Sequence, residues 1–356
     1  MRIVTALAWC AYVAVGSVVV TAQGAPARAP VALAAIAAII ERFASHDVVA
    51  LSDPHGNRQV QDFVLSLIRD PRFASAVDDI VLETASSRYQ DVLDRFVRGD
   101  DVPRDALRRV WDDHTVPNSS GVQAEELIQV VREVNRALIG SRRLRVVAGD
   151  PPIDWDNVTS PGDHRRWIEL RDSYPADLIR RQVLDRGRRA LVIYGQGHLQ
   201  RRQILSNYDM SSWQAQTVVS LLERDRSARV FTIWTWLDRR IQLLEARSWS
   251  APSLVAVKGT GLGARDFASY AEMAGPQRFN VRDGQLVPIT RDQWQTLRMD
   301  EQFDAVLYLG DPSEMTFQAL PEGLCREPAY VTERIRRLAI GTPPVELATF
   351  KKACGV

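Results

Sequence analysis

The sequence predicts an α/β fold, with a largely parallel or mixed central sheet, helices on both faces, and a single domain after a signal peptide. The first observation is that the runs VVAL (48–51) and ALVIY (190–194) are apolar at both alternating positions, as in strands buried on both faces. The second is that segments with helical spacing follow such runs. Alternating strands and helices predict parallel pairing.

The elements follow from these patterns in chain order. Residues 31–46 have the aliphatic content of a helix, and the segment 57–70 has apolar side chains at three- and four-residue spacing after Asn57, a suitable N-cap. Further strands are predicted at 78–83, 143–150, 188–194, 228–236, 253–260 and 303–311, and further helices at 88–99, around 290–301, at 326–339 and at 343–352.

The N-terminal residues predict export. Arg2 followed by an uncharged stretch and Gly24 before Ala25 has the layout of a secretory signal peptide over 1–24. The alternative is a membrane anchor, because the apolar stretch 3–22 is long enough to cross a bilayer. A tether and helix (25–43) and the main domain (44–356), with its site in 44–240, would follow. The product would be periplasmic or extracellular.

Charge and glycine patterns exclude two classes of partner. The 356 residues carry 45 Lys and Arg against 44 Asp and Glu, and the two signs are interspersed. We therefore expect no nucleic-acid binding. The segment VKGTGLGARDF lacks the third glycine of a dinucleotide fingerprint. The expected partner is a small-molecule or peptide substrate, with membrane contact only if the N-terminal segment is uncleaved.

Two cysteines remain after the predicted signal, Cys325 and Cys354. In an exported protein such a pair is expected to form a disulfide. Closing a loop of about 30 residues contributes about 3 to 4 kcal/mol in the chain-entropy picture. Two unpaired buried thiols are the alternative.

Three strand-like runs end in polar residues that carry chemistry. His55 follows VVALSDP, Glu83 ends IVLE, and His198 follows ALVIYGQG. Because the carboxyl ends of parallel strands line the ligand crevice of an α/β sheet, these three side chains are predicted to form one site. Asp53 and Asp150 are further carboxylates at strand ends.

The constellation permits two schemes. In one, His55, Glu83, His198 and Asp53 hold a divalent ion (Mn, Co, Zn or Fe) that activates water. In the other, His55 is a general base, Glu83 or Asp150 orients it, and His198 polarises the electrophile. The remaining histidines (His46, His114 and His164) are assigned structural roles.

The motifs LSDPHG, VLETAS and GQGHL resemble those of the superfamily that groups erythromycin esterase-like, ChaN-like haem-uptake and TraB/Tiki proteins. The resemblance covers residues 44 to about 240 and assigns the shared site roles to His55, Glu83 and His198. It implies three activities: metal-dependent proteolysis, lactone hydrolysis by a His base, or haem binding.

The function expected from these observations is hydrolysis of an ester, lactone or amide by metal-activated or His-activated water. The rival is a non-catalytic haem- or iron-binding uptake protein of the ChaN-like type. In that reading the site histidines, with Tyr89 or Tyr194, would ligate haem iron.

Overall fold

The computed structural model describes residues 29–117, 121–138, 143–202, 216–224, 228–237, 243–267, 279–282, 285–288 and 297–356. The predicted signal peptide, and most of the helix predicted around 290–301, lie outside these residues. Within them, no helix has the length and apolar character needed to span a membrane.

The described strands and helices alternate through most of the chain. The strands are β1 (Ala32–Ala34), β2 (Val48–Ser52), β3 (Asp79–Ser86), β4 (Arg145–Asp150), β5 (Ala190–Tyr194), β6 (Val230–Trp236), β7 (Ser253–Ala256), β8 (Phe279–Arg282), β9 (Gln285–Pro288) and β10 (Ala305–Tyr308). The helices are α1 (Ala35–Arg42), α2 (Arg58–Arg69), α3 (Phe73–Ala76), α4 (Gln90–Arg98), α5 (Arg104–Asp112), α6 (Val122–Ala137), α7 (Pro161–Ile168), α8 (Ser173–Gln182), α9 (Gln196–Leu199), α10 (Val218–Arg224), α11 (Met299–Gln302), α12 (Glu322–Cys325), α13 (Pro328–Gly341) and α14 (Pro344–Cys354).

Eight strands form one mixed sheet in the order β1-β7-β10-β6-β2-β5-β3-β4. The six strands from β10 to β4 are parallel, and β7 pairs antiparallel with both β10 and β1. The predicted α/β fold is confirmed. In this order β5 lies between β2 and β3, so the loops that leave these three strands start side by side.

The sheet is buried on both faces, as the apolar runs predict. Along β2, Val49 and Leu51 pack in one core, whereas Val48 and Ala50 pack in a second core on the opposite face. Helices α1 to α6 cover the first face, and α8 and α10 contribute to the second. Each core excludes water from one side of the strands, which fixes the direction of every side chain at the strand ends.

Two elements differ from the prediction. Within the predicted helix 31–46, the first residues form strand β1, and helix α1 follows it. Strand β1 pairs antiparallel with β7, a long-range contact that the spacing of apolar residues does not encode. Strand β3 continues past Glu83 to Ser86, with a shift in its register to β4 between Leu82 and Ser86. Glu83 therefore lies within a strand, beside this irregularity.

The C-terminal helices confirm the predicted covalent link. Cys325, the last residue of α12, forms a disulfide with Cys354, the last residue of α14, with 5.0 Å between their Cα atoms. Helix α14 packs against α13. The disulfide therefore attaches the end of α14 to the segment that precedes α13.

Candidate functional site

Glu83 lies at the centre of the predicted constellation. Its carboxylate Oε2 is 3.6 Å from Nε2 of His55, and its Oε1 is 3.5 Å from Nε2 of His198. Oε2 also accepts a hydrogen bond from the backbone N–H of Gly195, and Oε1 is paired with the guanidinium of Arg171. The structure therefore brings His55, Glu83 and His198 together around one carboxylate.

The surroundings of Glu83 keep it ionised. Its side chain is only 6% exposed, and burial by itself would raise its pKa. The positive charges of His55, His198 and Arg171 outweigh burial and lower the pKa of Glu83 to about 2. A β-carbon at Gly195 would lie 3.1 Å from Nε2 of His55. The glycine therefore lets the His55 ring lie close to the backbone that follows strand β5.

His55 is held in a strained turn at the mouth of the site. Its φ of 55° lies in the left-handed region, and its backbone N–H donates to Oδ1 of Asp53 at 3.0 Å. The ring Nδ1 donates to Oδ2 of Asp53 at 3.2 Å, which directs Nε2 towards Glu83. Burial lowers the pKa of His55, but the carboxylates of Glu83 and Asp53 raise it further, to about 9.

His198 has the same two-sided arrangement on the other side of Glu83. Its Nδ1 donates to Oδ1 of Asp172 at 2.8 Å, and the same oxygen accepts from the backbone N–H of Val218 at 3.1 Å. The ring lies edge-on to Tyr194 at a centroid distance of 5.9 Å. Asp172 thus fixes the proton on Nδ1 and leaves Nε2 facing Glu83.

The other predicted residues take separate places. Asp150 is buried and accepts from the backbone N–H and the hydroxyl of Thr115 at 2.7 and 2.6 Å, and burial raises its pKa to about 7. Tyr89 donates its hydroxyl to Asp113 at 2.7 Å. Tyr194 is fully buried, with its hydroxyl against Gly149. These three residues support the walls of the site and do not line its cavity.

A cavity of about 410 Å³ opens in front of His55 and Glu83. One side is formed by residues at the strand ends and in the neighbouring loops, and the other side by the C-terminal helices. It is lined by Asp53, His55, Gly56, Glu83, Thr84, His114, Val116, Gly121, Gln123, Ala124, Arg171, Gln318, Leu320, Leu338, Glu346, Thr349, Phe350 and Ala353. The site therefore extends well beyond the predicted core of 44–240.

Sequence reasoning missed Arg171, Asp172, His114 and Gln123. Arg171 and Asp172 lie between α7 and α8 in a charged stretch that resembles solvated surface. Gln123 accepts from the N–H of Gly56 at 2.7 Å and so fixes the His55 turn. No local sequence pattern marks these side chains, because their proximity depends on how helices pack above the sheet.

The predicted divalent-metal site is not supported by the described residues. Among the described residues, no group of three or more His, Cys, Asp and Glu side chains is arranged to hold a metal ion. The physical reason is that the ligands are already engaged: Arg171 pairs with Glu83, and Asp53 with Nδ1 of His55. Haem binding by the site stays a prediction: Tyr89 donates to Asp113 and Tyr194 packs in the second core, so neither tyrosine lines the cavity.

No protein-family model matches the sequence, and no curated protein matches it at a significant level. Among solved structures, the chain is similar to a succinoglycan biosynthesis protein, with a TM-score of 0.51 and 11% identity over 79% of this chain and 94% of that chain. A protein from Bacillus cereus gives a TM-score of 0.46 at 10% identity, over 78% of this chain and 92% of that chain.

A third similar structure is ChaN of Campylobacter jejuni, described with cofacial haem binding, with a TM-score of 0.38 and 12% identity over 56% of this chain and 85% of that chain. At these identities the similarity is one of fold.

Proposed function

We propose that this protein is a hydrolase of an ester, lactone or amide in which His55 activates the attacking water. The observation that carries the proposal is the pairing of His55 with Asp53 at the mouth of a cavity. The His55 side chain is 47% exposed, so substrate and water reach its ring. The Asp53 carboxylate holds a proton on Nδ1, so in neutral His55 the lone pair is on Nε2, the atom that faces Glu83 and acts as the base.

The reaction balances with the groups at hand. Neutral His55 takes a proton from water through Nε2, while the water oxygen bonds to the carbonyl carbon and the π electrons move to the carbonyl oxygen. When the tetrahedral intermediate collapses, the bond to the leaving alcohol or amine breaks, and the His55 imidazolium returns the proton to it. The acid product and the leaving group account for all atoms.

The ion pair of Glu83 and Arg171 sets the charge that surrounds the His55 ring. Glu83 faces both imidazole rings and stabilises the His55 imidazolium that forms during the reaction. Arg171 lines the cavity and neutralises part of the charge on Glu83. His198 is held by Asp172 and presents Nε2 to Oε1 of Glu83, the carboxylate oxygen that does not face His55. In this scheme His198 is a positioning residue that orients Glu83.

The test is a substrate panel of p-nitrophenyl esters, γ- and δ-lactones, and acyl p-nitroanilides. We expect turnover of at least one class, and a loss of about 10² to 10⁴ in kcat on His55→Ala. His46→Ala is the matched control. His46 precedes the amino-terminal end of β2, whereas the site lies at the carboxyl ends of the strands, and His46 hydrogen-bonds locally to Ser45 and Arg42. A panel without turnover overturns the proposal.

We also infer that the protein is exported. The Cys325–Cys354 disulfide supports this inference, because such bonds persist in oxidising compartments. The mature protein from its native host should begin near Ala25 by intact mass. A full-length cytoplasmic product that still carries Met1 would contradict export.

A further inference from the structure

We propose that the backbone of residues 316–318, together with the side chain of Gln123, holds His55 in its left-handed conformation. The position of the base then depends on the docking of a segment that belongs to the C-terminal part of the chain. This inference rests on the proposed function for its effect on catalysis, since it concerns the regulation of the same site. Gln123 and Gln318 are positioning residues, because they act on the turn that carries His55 and not on the substrate.

The first support is the conformation of the turn. His55 and Gly56 follow one another with φ of 55° and 77°, both in the left-handed region. Glycine adopts this region freely, but a histidine is strained in it and relaxes unless its surroundings hold it there. The bond from the His55 N–H to Asp53 restrains the turn only on its N-terminal side. The residues that follow His55 therefore need partners of their own.

The second support is the side-chain amide of Gln123, near the start of α6. Its Oε1 accepts from the backbone N–H of Gly56 at 2.7 Å, and its Nε2 donates to the carbonyl oxygen of Asn57 at 3.0 Å. One planar amide thus fixes two successive residues after His55. The backbone of Gln123 is itself held, since its carbonyl oxygen accepts from Nε2 of Gln61 on α2 at 3.0 Å. Helices α2 and α6 are therefore linked at the turn.

The third support is a backbone bridge from the C-terminal part of the chain. The N–H of Gln318 donates to the carbonyl oxygen of Gly56 at 2.7 Å. Two residues earlier, the carbonyl oxygen of Thr316 accepts from the N–H of Arg58 at 2.9 Å, which completes an antiparallel bridge. Gly56 is therefore bonded through its N–H to Gln123 and through its C=O to Gln318. Both polar groups of the residue after His55 have partners far away in sequence.

Hydrogen bonds, and not burial, attach this segment to the turn. Thr316 is exposed and the Phe317 side chain is 61% exposed, so these two residues add no core packing. Gln59 contributes two further bonds to Thr316, at 3.0 Å to its N–H and at 3.2 Å to its hydroxyl. Exposed hydrogen bonds without buried apolar contacts open at a low free energy. Release of the segment is thus a local event that leaves the sheet folded.

The effect on the base follows from the groups that face its ring. The ring lies between the carboxylates of Asp53 and Glu83, and the charge of Arg171 and the ring of His114 are also close enough to interact. The carboxylates prevail and raise the pKa of His55 to about 9. If the turn relaxes, the ring leaves both carboxylates, and its pKa falls towards the ordinary value of 6.5. The pKa of His55 therefore reports whether the segment is docked.

The experiment compares two variants with matched controls. Gln318→Pro removes the N–H that bonds to Gly56, and its control is Ala319→Pro, at an exposed residue whose N–H makes no hydrogen bond within the described part of the chain. Gln123→Met removes the amide at similar length, and its control is Gln129→Met, on the exposed face of the same helix. Each test variant should lower kcat about 10- to 100-fold with KM changed less than about threefold. Each control should keep both values within about twofold.

A second readout does not depend on turnover. In ¹⁵N-histidine-labelled protein, the ring resonances of His55, identified by their absence in His55→Ala, give its pKa by titration. The pKa should fall from about 9 towards 6.5 in Gln318→Pro and Gln123→Met, and it should stay at the wild-type value in the controls. A general loss of stability does not move the pKa of one ring while the protein remains folded, which circular dichroism checks in the same samples.

The outcomes separate the two proposals. If wild-type protein hydrolyses nothing in the panel, the proposed function fails, and the pKa of His55 in the two variants still decides whether the segment holds the turn. If wild-type protein is active but both variants keep kcat within about threefold, or leave the pKa of His55 unchanged, only the positioning role is overturned. Equal losses of kcat in Ala319→Pro and Gln318→Pro would also overturn it, because the bond to Gly56 would not be the cause.

Discussion

The two walls of the cavity are built in different ways. The strand-end wall carries buried ionised groups, with Glu83 bonded to Arg171 and Gly195 and facing two histidines. The C-terminal wall is formed by α13 and α14, and α14 has no buried residue along its length. Helix α14 is held by its contact with α13 and by the Cys325–Cys354 disulfide.

This difference assigns separate tasks to the walls. Chemistry that depends on distances within about 0.5 Å needs side chains fixed by the sheet and its hydrogen bonds. A surface helix that presents Thr349 and Phe350 to the cavity provides shape and apolar contact, which tolerate small displacements. Changes on the strand-end wall should therefore lower kcat, and changes on the C-terminal wall should raise KM.

The largest effect is expected at Glu83. Glu83→Gln removes the buried charge that faces both imidazoles and leaves Arg171 without its carboxylate, so kcat should fall at least about 10³-fold. The free energy of unfolding should fall by about 3 to 5 kcal/mol, as for other broken buried ion pairs. Steady-state kinetics and urea unfolding measure both quantities.

The comparison for this variant is Glu346→Gln on the opposite wall. It should leave kcat within about threefold and change KM only modestly, since Glu346 is a half-buried carboxylate on a surface helix, away from the buried charges around Glu83. Equal losses of kcat in the two variants would contradict the division of tasks.

The disulfide is expected to have the next largest effect. Replacing Cys325 and Cys354 with Ser together removes a link across 29 residues, worth about 3 to 4 kcal/mol in the chain-entropy picture. Local opening of α14 should raise KM several-fold while kcat is retained. Hydrogen exchange should show lost protection in α14 and unchanged protection in β2 and β3. A lower kcat with unchanged KM would place α14 in the chemistry instead.

The smallest effect is expected at Phe350. Phe350→Ala enlarges the cavity on the side of α14, where Phe350 is half-buried and contacts Tyr330 edge-on at a centroid distance of 6.4 Å. The value of KM for bulky acyl substrates should rise about threefold to tenfold, with little change for acetyl esters. A uniform change across substrate sizes would argue against an apolar subsite at Phe350.

The sequence predicts the strand-end wall well for a physical reason. Runs that are apolar at both alternating positions indicate strands buried on both faces of the sheet. Parallel strands place their carboxyl ends on the same side of the sheet. His55 and Glu83 meet for this reason. Tyr194 is two residues from Val192 on strand β5, so both side chains point to the same face of the sheet, into the second core. The alternation of side chains along β5 alone explains why Tyr194 does not reach the cavity.

The rest of the site depends on contacts that have no local pattern. Arg171 and His114 lie in segments between helices, and their places are set by how α5, α7 and α8 pack over the sheet. The spacing of Cys325 and Cys354 predicts their bond, but not that the bonded helix covers the site. Long-range packing decides both features, and periodicity carries no information about it.

The pH dependence of kcat/KM, compared between wild type and His55→Ala, shows most directly whether His55 is the general base, because it reports the titration of the base in the free enzyme. With the pKa of His55 raised to about 9, neutral His55 is the minor form at pH 7. For wild type, kcat/KM should therefore rise about tenfold per pH unit from pH 7 and level off near pH 9. His55→Ala should lose this rise together with a factor of about 10² to 10⁴. If His55→Ala keeps both the wild-type rate and the wild-type pH profile, His55 is not the general base.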